Sequence, residues 1–205
     1  WGFRTQSRER KPTDRELYEA LGAVGSQVIL LDTKNPTVGL LQQGSRLDLG
    51  GIAVGYSVDR ATKVLKDFGI EIALINHSGD IYALGSPPGE DGWLIGITDP
   101  ESPDSIITSL RLKNKAISTS GNYENYVTYD GLRYGHILDP FIGKPSSKIL
   151  SSTVIADTSI EADALSTGIF VMGVEAGEKL VRSNKAVKLL AVVETEGRGE
   201  VVSTF

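Results

Sequence analysis

Cysteine is absent from the 205 residues, methionine occurs once and histidine twice. Without a thiol there is no disulfide, no zinc–thiolate centre and no cysteine nucleophile. That absence leaves the compartment open, since chains without cysteine work on either side of a membrane. No stretch of about 18 apolar residues occurs, so nothing reads as a membrane-spanning helix. Positive charge is scarce: Lys plus Arg total 21 against 26 Asp plus Glu, a net charge of -5. No basic run interleaved with aromatics is present, which argues against a nucleic-acid partner. A negatively charged chain that holds a phosphate-rich ligand needs local help, from a metal or from backbone N–H groups.

What is present suffices for one core, or for two small lobes sharing one: 40% of residues are hydrophobic and 23% charged. The chain opens WGFRTQSRERKPT, with neither an initiator Met nor a signal sequence. It is expected to be a fragment or a processed product. Residues 1–11 read as a polar loop or arm. Thr13 and Glu16 form a capping-box pattern, and Leu17, Ala20, Leu21 and Val24 make one face of a short helix ending near Gly25. QVILLD (27–32) and TVGLLQ (37–42) read as a hairpin turning at Asn35-Pro36.

Residues 47–69, LDLGGIAVGYSVDRATKVLKDFG, pass from an extended segment through Gly50-Gly51 into a helix closed by Gly69. Paired glycines ahead of a helix suit a phosphate, because the backbone comes close and the helix start offers free N–H groups. The pattern is neither G-x-G-x-x-G nor a Walker loop. Taken alone, it is more often a plain tight turn. Residues 70–85 give two short strands broken at Asn76-His77-Ser78-Gly79-Asp80. That break reads as a place for ligand recognition, or as an ordinary turn with Asp80 bonding its own backbone.

Trp93 to Thr98 reads as a strand, and Ile106–Leu112 with Ala116–Ser118 as a pair turning at 113–115. Thr119 to Tyr126 reads as a polar loop. Asp130-Gly131 marks a hairpin whose second strand delivers His136. A second short helix over 175–182 and a closing hairpin across Gly197 complete the chain. Hairpins with separate helices imply an α+β class, with mostly antiparallel sheets and helices packed against them.

The stretch 153–173, TVIADTSIEADALSTGIFVMG, reads as a strand end and a helix opened by Thr158 and Glu161. Ile160, Ala164, Leu165, Ile169 and Met172 form its apolar face. Asp163 and Thr167 stand one turn apart on one side. A carboxylate and a hydroxyl so placed offer two hard oxygens to Mg2+. By itself such a pair is more often a solvated acid and a core-edge threonine.

LDLGGIAVGYSVDR, NHSGDIYALG, ISTSGNYENY, YGHILDPFIGKP and TVIADTSIEADALSTGIFVMG stand in that order. Together they resemble the FAD:protein FMN transferases, the ApbE-type flavin transferase family, over nearly the whole chain. The resemblance implies an ApbE-like fold, a single domain over 1–205 or two interlocked lobes, and Mg2+-dependent transfer of FMN from FAD to a Thr or Ser of a target protein, releasing AMP. It implies that Asp163 and Thr167 bind the metal and that the Gly51 carbonyl completes the site. It assigns His136 as catalytic base, and Val54 and the Ile137 backbone to contacts with the flavin nucleotide. Most members carry Lys or another polar residue where Val54 stands, and a small residue where His77 stands.

The resemblance further implies an N-terminal region ahead of the W-G-F segment, with flavin and adenine contacts and an anchor for peripheral membrane association. Family targets are flavin-carrying subunits of membrane redox complexes. Members work in the periplasm, or on the outer face of the bacterial membrane as lipoproteins. Two alternatives use the same residues. One is an Mg2+-dependent FAD pyrophosphatase giving FMN and AMP; the other is a non-catalytic FAD-binding module.

Overall fold

In a computed structural model, which describes residues 1–3, 9–102, 104–123, 125–147, 149–195 and 198–204, the chain forms two compact units. One comprises residues 1–48 and 122–146, the other 49–121 and 147–205. The class is α+β, and every strand pair is antiparallel.

The first unit begins with helix α1 (Asp14–Leu21), opened by the expected capping box between Thr13 and Glu16. It stops at Gly22 rather than near Gly25. Ala23 and Val24 N–H bond to Ala20 and Leu21 three residues back, which tightens and ends the last turn. The hairpin of β1 (Ile29–Asp32) and β2 (Thr37–Leu40) forms as read. Strands β8 (Tyr126–Tyr129) and β9 (Leu132–Gly135) form a second hairpin of this unit, and β10 (Leu138–Asp139) pairs with β11 (Lys144–Pro145) in a third antiparallel pair. The β8–β9 hairpin turns at Asp130 and Gly131, both at positive φ, as a two-residue turn of this twist requires.

In the second unit, helix α2 (Ala53–Asp67) ends at a glycine, as its sequence predicts. Gly69 has φ of 75°. Its N–H bonds to the Lys66 carbonyl and that of Ile70 to Leu65, which closes the helix end. Strands β3 (Ala73–His77) and β4 (Asp80–Leu84) follow, with Ser78 and Gly79 at positive φ in the turn.

Strand β5 (Trp93–Thr98) pairs with β6 (Ile106–Leu112), not β6 with the segment after it. Ile95, Ile97 and Leu112 thereby join Ala83, Ile117, Ile155, Leu190 and Val192 in one buried cluster. Strand β7 (Lys115–Gly121) leaves β6 and lies between β4 and β12 (Ser151–Ala156). It contains Thr119, Ser120 and Gly121, which the sequence suggested as loop. These hydroxyls persist in a strand because they bond within the sheet and to the helix above it; Thr119 Oγ1 lies 2.9 Å from Thr153 Oγ1 on β12.

Helix α3 (Ser159–Met172) and α4 (Val174–Ser183) precede the hairpin of β13 (Lys188–Thr195) and β14 (Arg198–Ser203). The Gly197 turn lies outside the described residues. The sheet order is β14-β13-β12-β7-β4-β3. The face α3 buries is not the one its apolar spacing suggested. Ser159, Ala162, Asp163, Ser166, Ile169 and Phe170 are buried, while Met172 is 44% exposed. Small and polar residues win that face because they bond to β7 and α2, as the site shows.

Candidate functional site

Helix α2 starts without a side-chain cap of its own. Its need is met from α3. The Gly55 N–H, in the first turn of α2, donates to Asp163 Oδ2 at 2.9 Å in a buried position. The debt runs the other way too. Asp59, one turn further along α2, accepts from Ser159 N–H at 2.8 Å and Ile160 N–H at 2.9 Å. Each helix therefore supplies the carboxylate that caps the other, and both carboxylates sit where the positive ends of the dipoles favour them. Thr158 adds a weaker bond from Glu161 N–H, at 3.4 Å.

Replacing Asp59 with Ala removes both bonds to the start of α3. A cost of about 1–2 kcal/mol is expected. A chain of this size should then melt about 2–8 °C lower. Thermal denaturation followed by circular dichroism measures it, and an unchanged Tm would rule the capping role out.

Asp163 and Thr167 stand one turn apart, as the sequence predicts, and Gly51 joins them. A Cβ placed on Gly51 would lie 3.3 Å from Thr167 Cγ2 and 3.4 Å from Thr167 Oγ1. The Thr167 hydroxyl is 3.0 Å from Ser120 Oγ, which is itself 2.8 Å from Ser166 Oγ. Ser118 Oγ continues this chain, 3.3 Å from Ser166 Oγ. Val54 sits half-buried in the first turn of α2, and its carbonyl accepts from Ser57 Oγ at 2.7 Å. His77 Nδ1 lies 2.7 Å from the same hydroxyl.

The residue that sequence reasoning missed is Asp80. It does not bond its own turn, where Asn76 Oδ1 accepts the Gly79 N–H instead. Its side chain turns inward, 7% exposed against 6% for Asp163, and the two carboxyls act on each other electrostatically. Burial and the Asp163 charge push Asp80 up to about 7, opposed by a hydrogen bond from Ser118. Burial also raises Asp163, opposed by the bonds from Gly55 N–H and Asp80. Among the described residues, no Lys or Arg charge acts on either. Two buried acids without a cation share a proton.

The donor set is all oxygen, which suits Mg2+. No group of three or more His, Cys, Asp or Glu gathers among the described residues. A metal held by Asp163, Thr167 and the Gly51 carbonyl would leave further positions for phosphate oxygens.

The raised acid pair sets a pH dependence. A carboxyl raised on folding costs nothing while protonated, and stability falls as pH rises from about 4 toward 7. The metal-free protein should melt lower at pH 8 than at pH 5.5. Asp80→Asn should flatten that slope, and a variant keeping the full slope would exclude Asp80 as its source.

His136 and Ile137 belong to the first unit. His136 is exposed, and its Nδ1 faces the Asn125 carbonyl at 3.1 Å. A carbonyl only accepts, so Nδ1 is the donor of this bond, which leaves Nε2 as the nitrogen directed away from it. Ile137 is buried, and its carbonyl accepts from Ser146 N–H at 2.9 Å.

The sequence pattern described as the ApbE family matches residues 1–191. The chain belongs to the ApbE family. It is 35% identical over 195 residues to the FAD:protein FMN transferase of Klebsiella pneumoniae (strain 342), covering 94% of this chain and 59% of that protein. The FAD:protein FMN transferase of Vibrio cholerae is 32% identical over 207 residues, covering 100% of this chain and 61% of that protein. The chain thus spans about three fifths of the length of these relatives. Among solved structures, the ApbE protein of Thermotoga maritima superposes with a TM-score of 0.86 at 39% identity, covering 95% of this chain and 62% of that one. The flavin transferase ApbE of Vibrio cholerae gives 0.87 at 30% identity, covering 100% of this chain and 65% of that one. The ApbE-like α+β fold is shared with both.

Proposed function

We propose that this chain carries the core of an FAD:protein FMN transferase. The observation that carries the reading is the buried Asp163 carboxylate, fixed by the Gly55 N–H, with the Thr167 hydroxyl and Gly51 beside it. The names of the relatives supply the reaction class. Asp163, Thr167 and the Gly51 carbonyl would hold Mg2+, which neutralises charge developing on the pyrophosphate of FAD.

The chain's own residues do the rest. Val54 packs against the flavin nucleotide without a charge or a side-chain hydrogen bond, and the Ile137 backbone gives a second contact. His136 takes the proton of the acceptor Thr or Ser hydroxyl at Nε2. The hydroxyl oxygen then bonds to the phosphorus of the FMN half of FAD. The P–O bond to the AMP half breaks, and AMP departs with that oxygen. Transfer of this kind depends on positioning and charge stabilisation. The acceptors proposed are flavin-carrying subunits of membrane redox complexes, and the location proposed is the periplasm or the outer membrane face. Both rest on the family resemblance.

Mass spectrometry of a flavin-acceptor domain incubated with this protein, FAD and Mg2+ tests the reading. An FMN adduct on a Thr that disappears with EDTA is expected. Free FMN and AMP without an adduct would mean a pyrophosphatase, and no turnover with retained FAD binding a non-catalytic flavin module.

A further inference from the structure

A cavity of about 450 Å3 opens beside the second half of α2, within the second unit. Thr62, Lys63 and Lys66 of α2 line it, with Tyr82 of β4 and Thr158 at the start of α3. None of the residues placed at the metal or at the flavin nucleotide does so. The carboxylates around it are all engaged. Asp67 holds Lys63 Nζ at 2.8 and 3.0 Å. Asp157 pairs with Lys115. Both oxygens of Asp59 accept N–H groups at the start of α3, so that helix end offers the cavity no free donor of its own first turn.

Lys66 differs. Among the described residues no carboxylate pairs with it, and its Nζ lies 5.2 Å from the centre of the Tyr82 ring. Side chains alternate between faces along a strand. Ile81 and Ala83 pack in the buried cluster on one face, so Tyr82 turns to the other, under Lys66. Tyr82 is 6% exposed, yet its hydroxyl has no hydrogen-bond partner among the described residues. A buried tyrosine hydroxyl normally finds one. An unpaired ammonium and an unpaired buried hydroxyl therefore meet at one cavity.

We propose that this cavity binds a small organic carboxylate, whose oxygens accept from the Lys66 ammonium and the Tyr82 hydroxyl while its apolar body lies against the Tyr82 ring and the lysine stems. Two observations choose that class. The cavity has room for roughly fifteen waters, far more than a bare inorganic anion fills, and its volume is ordinary for a ligand site. A phosphate dianion would also bring a second negative charge near Asp59, Asp67 and Asp157, where only Lys66 is left to meet it among the described residues. One charge matches one ammonium.

The test is amide NMR of the full chain titrated at constant ionic strength with benzoate, and separately with benzamide and inorganic phosphate. Saturable shifts at Thr62, Lys66, Tyr82 and Thr158 are expected with benzoate. Benzamide has the same shape without the charge, and it should bind about tenfold or more weakly. Lys66→Met keeps the apolar stem and drops the charge; benzoate affinity should fall about tenfold or more. Lys66→Arg keeps the charge and should stay within about threefold of the wild type. Tyr82→Phe keeps the ring, loses only the hydroxyl, and should cost about threefold to tenfold. Lys66 is exposed and Tyr82→Phe removes one atom, so both variants are expected to keep the fold. No saturable shift at these residues with benzoate overturns the proposal. Phosphate binding there more tightly than benzoate overturns the ligand class. Unchanged benzoate affinity in Lys66→Met or in Tyr82→Phe overturns the assignment of the two donors.

Discussion

Replacing Asp163 with Asn is expected to lower divalent-metal-dependent turnover of FAD by at least about a hundredfold, with the fold intact. The amide matches the carboxylate in shape. Its oxygen still accepts the Gly55 N–H that Asp163 Oδ2 now takes at 2.9 Å, so the cap on α2 survives. What is lost is the negative charge on the one acid that shares its helix side with Thr167. A hard cation such as Mg2+ binds a neutral amide oxygen far more weakly than a carboxylate, and transfer from a pyrophosphate leans heavily on that cation. Thr167→Val removes a neutral ligand only, and a drop of about tenfold is expected. Steady-state kinetics over a range of Mg2+ concentrations separates the two. For Asp163→Asn the loss should not be recovered at high Mg2+, while for Thr167→Val much of it should. Turnover within tenfold of wild type in Asp163→Asn would remove Asp163 from the metal site. Loss of the folded state would show instead that its main work is the cap.

How far the sequence revealed this site depended on the range of the interactions. The Thr13–Glu16 capping box, the Gly69 helix end and the Asp130-Gly131 turn are local, and they formed where their residues predicted. Asp163 and Thr167 were legible because helical spacing alone puts them on one side. Asp80 was not. Its position after Ser78-Gly79 reads as turn chemistry, and only the pairing of β4 with β7 carries its side chain toward Asp163. The buried face of α3 failed for the same reason. Periodicity counts apolar residues, but Ser159, Asp163 and Ser166 were buried by partners more than 40 residues away in sequence: Asp59 on α2 bonds the Ser159 N–H, Gly55 the Asp163 carboxylate, and Ser118 and Ser120 the Ser166 hydroxyl. Residues 119–121 read as loop because Thr, Ser and Gly are turn formers in isolation. In the sheet they are held by Ser151, Ser152 and Thr153 across the strand.

The crossing of α2 and α3 gives the largest expected effect on stability, and it turns on one glycine. A Cβ on Gly55 would lie 2.3 Å from the Ser159 carbonyl oxygen and 2.7 Å from Asp163 Cβ. Neither is the end of a flexible chain. The first is helix backbone and the second is the root of a side chain tied to α2, so the helices must separate. Elsewhere in a helix, Gly→Ala gains about 1 kcal/mol from backbone entropy and propensity. Here the gain is outweighed, because overpacking of this kind costs about 1–3 kcal/mol, and more when backbone must move. The Gly55–Asp163 hydrogen bond and the two Asp59 bonds to α3 stretch at the same time. Gly55→Ala should therefore be net destabilising by about 2–4 kcal/mol, a fall in Tm of about 4–16 °C. Gly168 on α3 is the control. A Cβ there meets only Met172 Cε, at 4.0 Å, so Gly168→Ala should gain stability, by up to about 1 kcal/mol. One substitution on two adjacent helices is thus expected to act with opposite sign. If both variants raise Tm, the helices are not in the contact that places Asp163, and the geometry of the metal site falls with it.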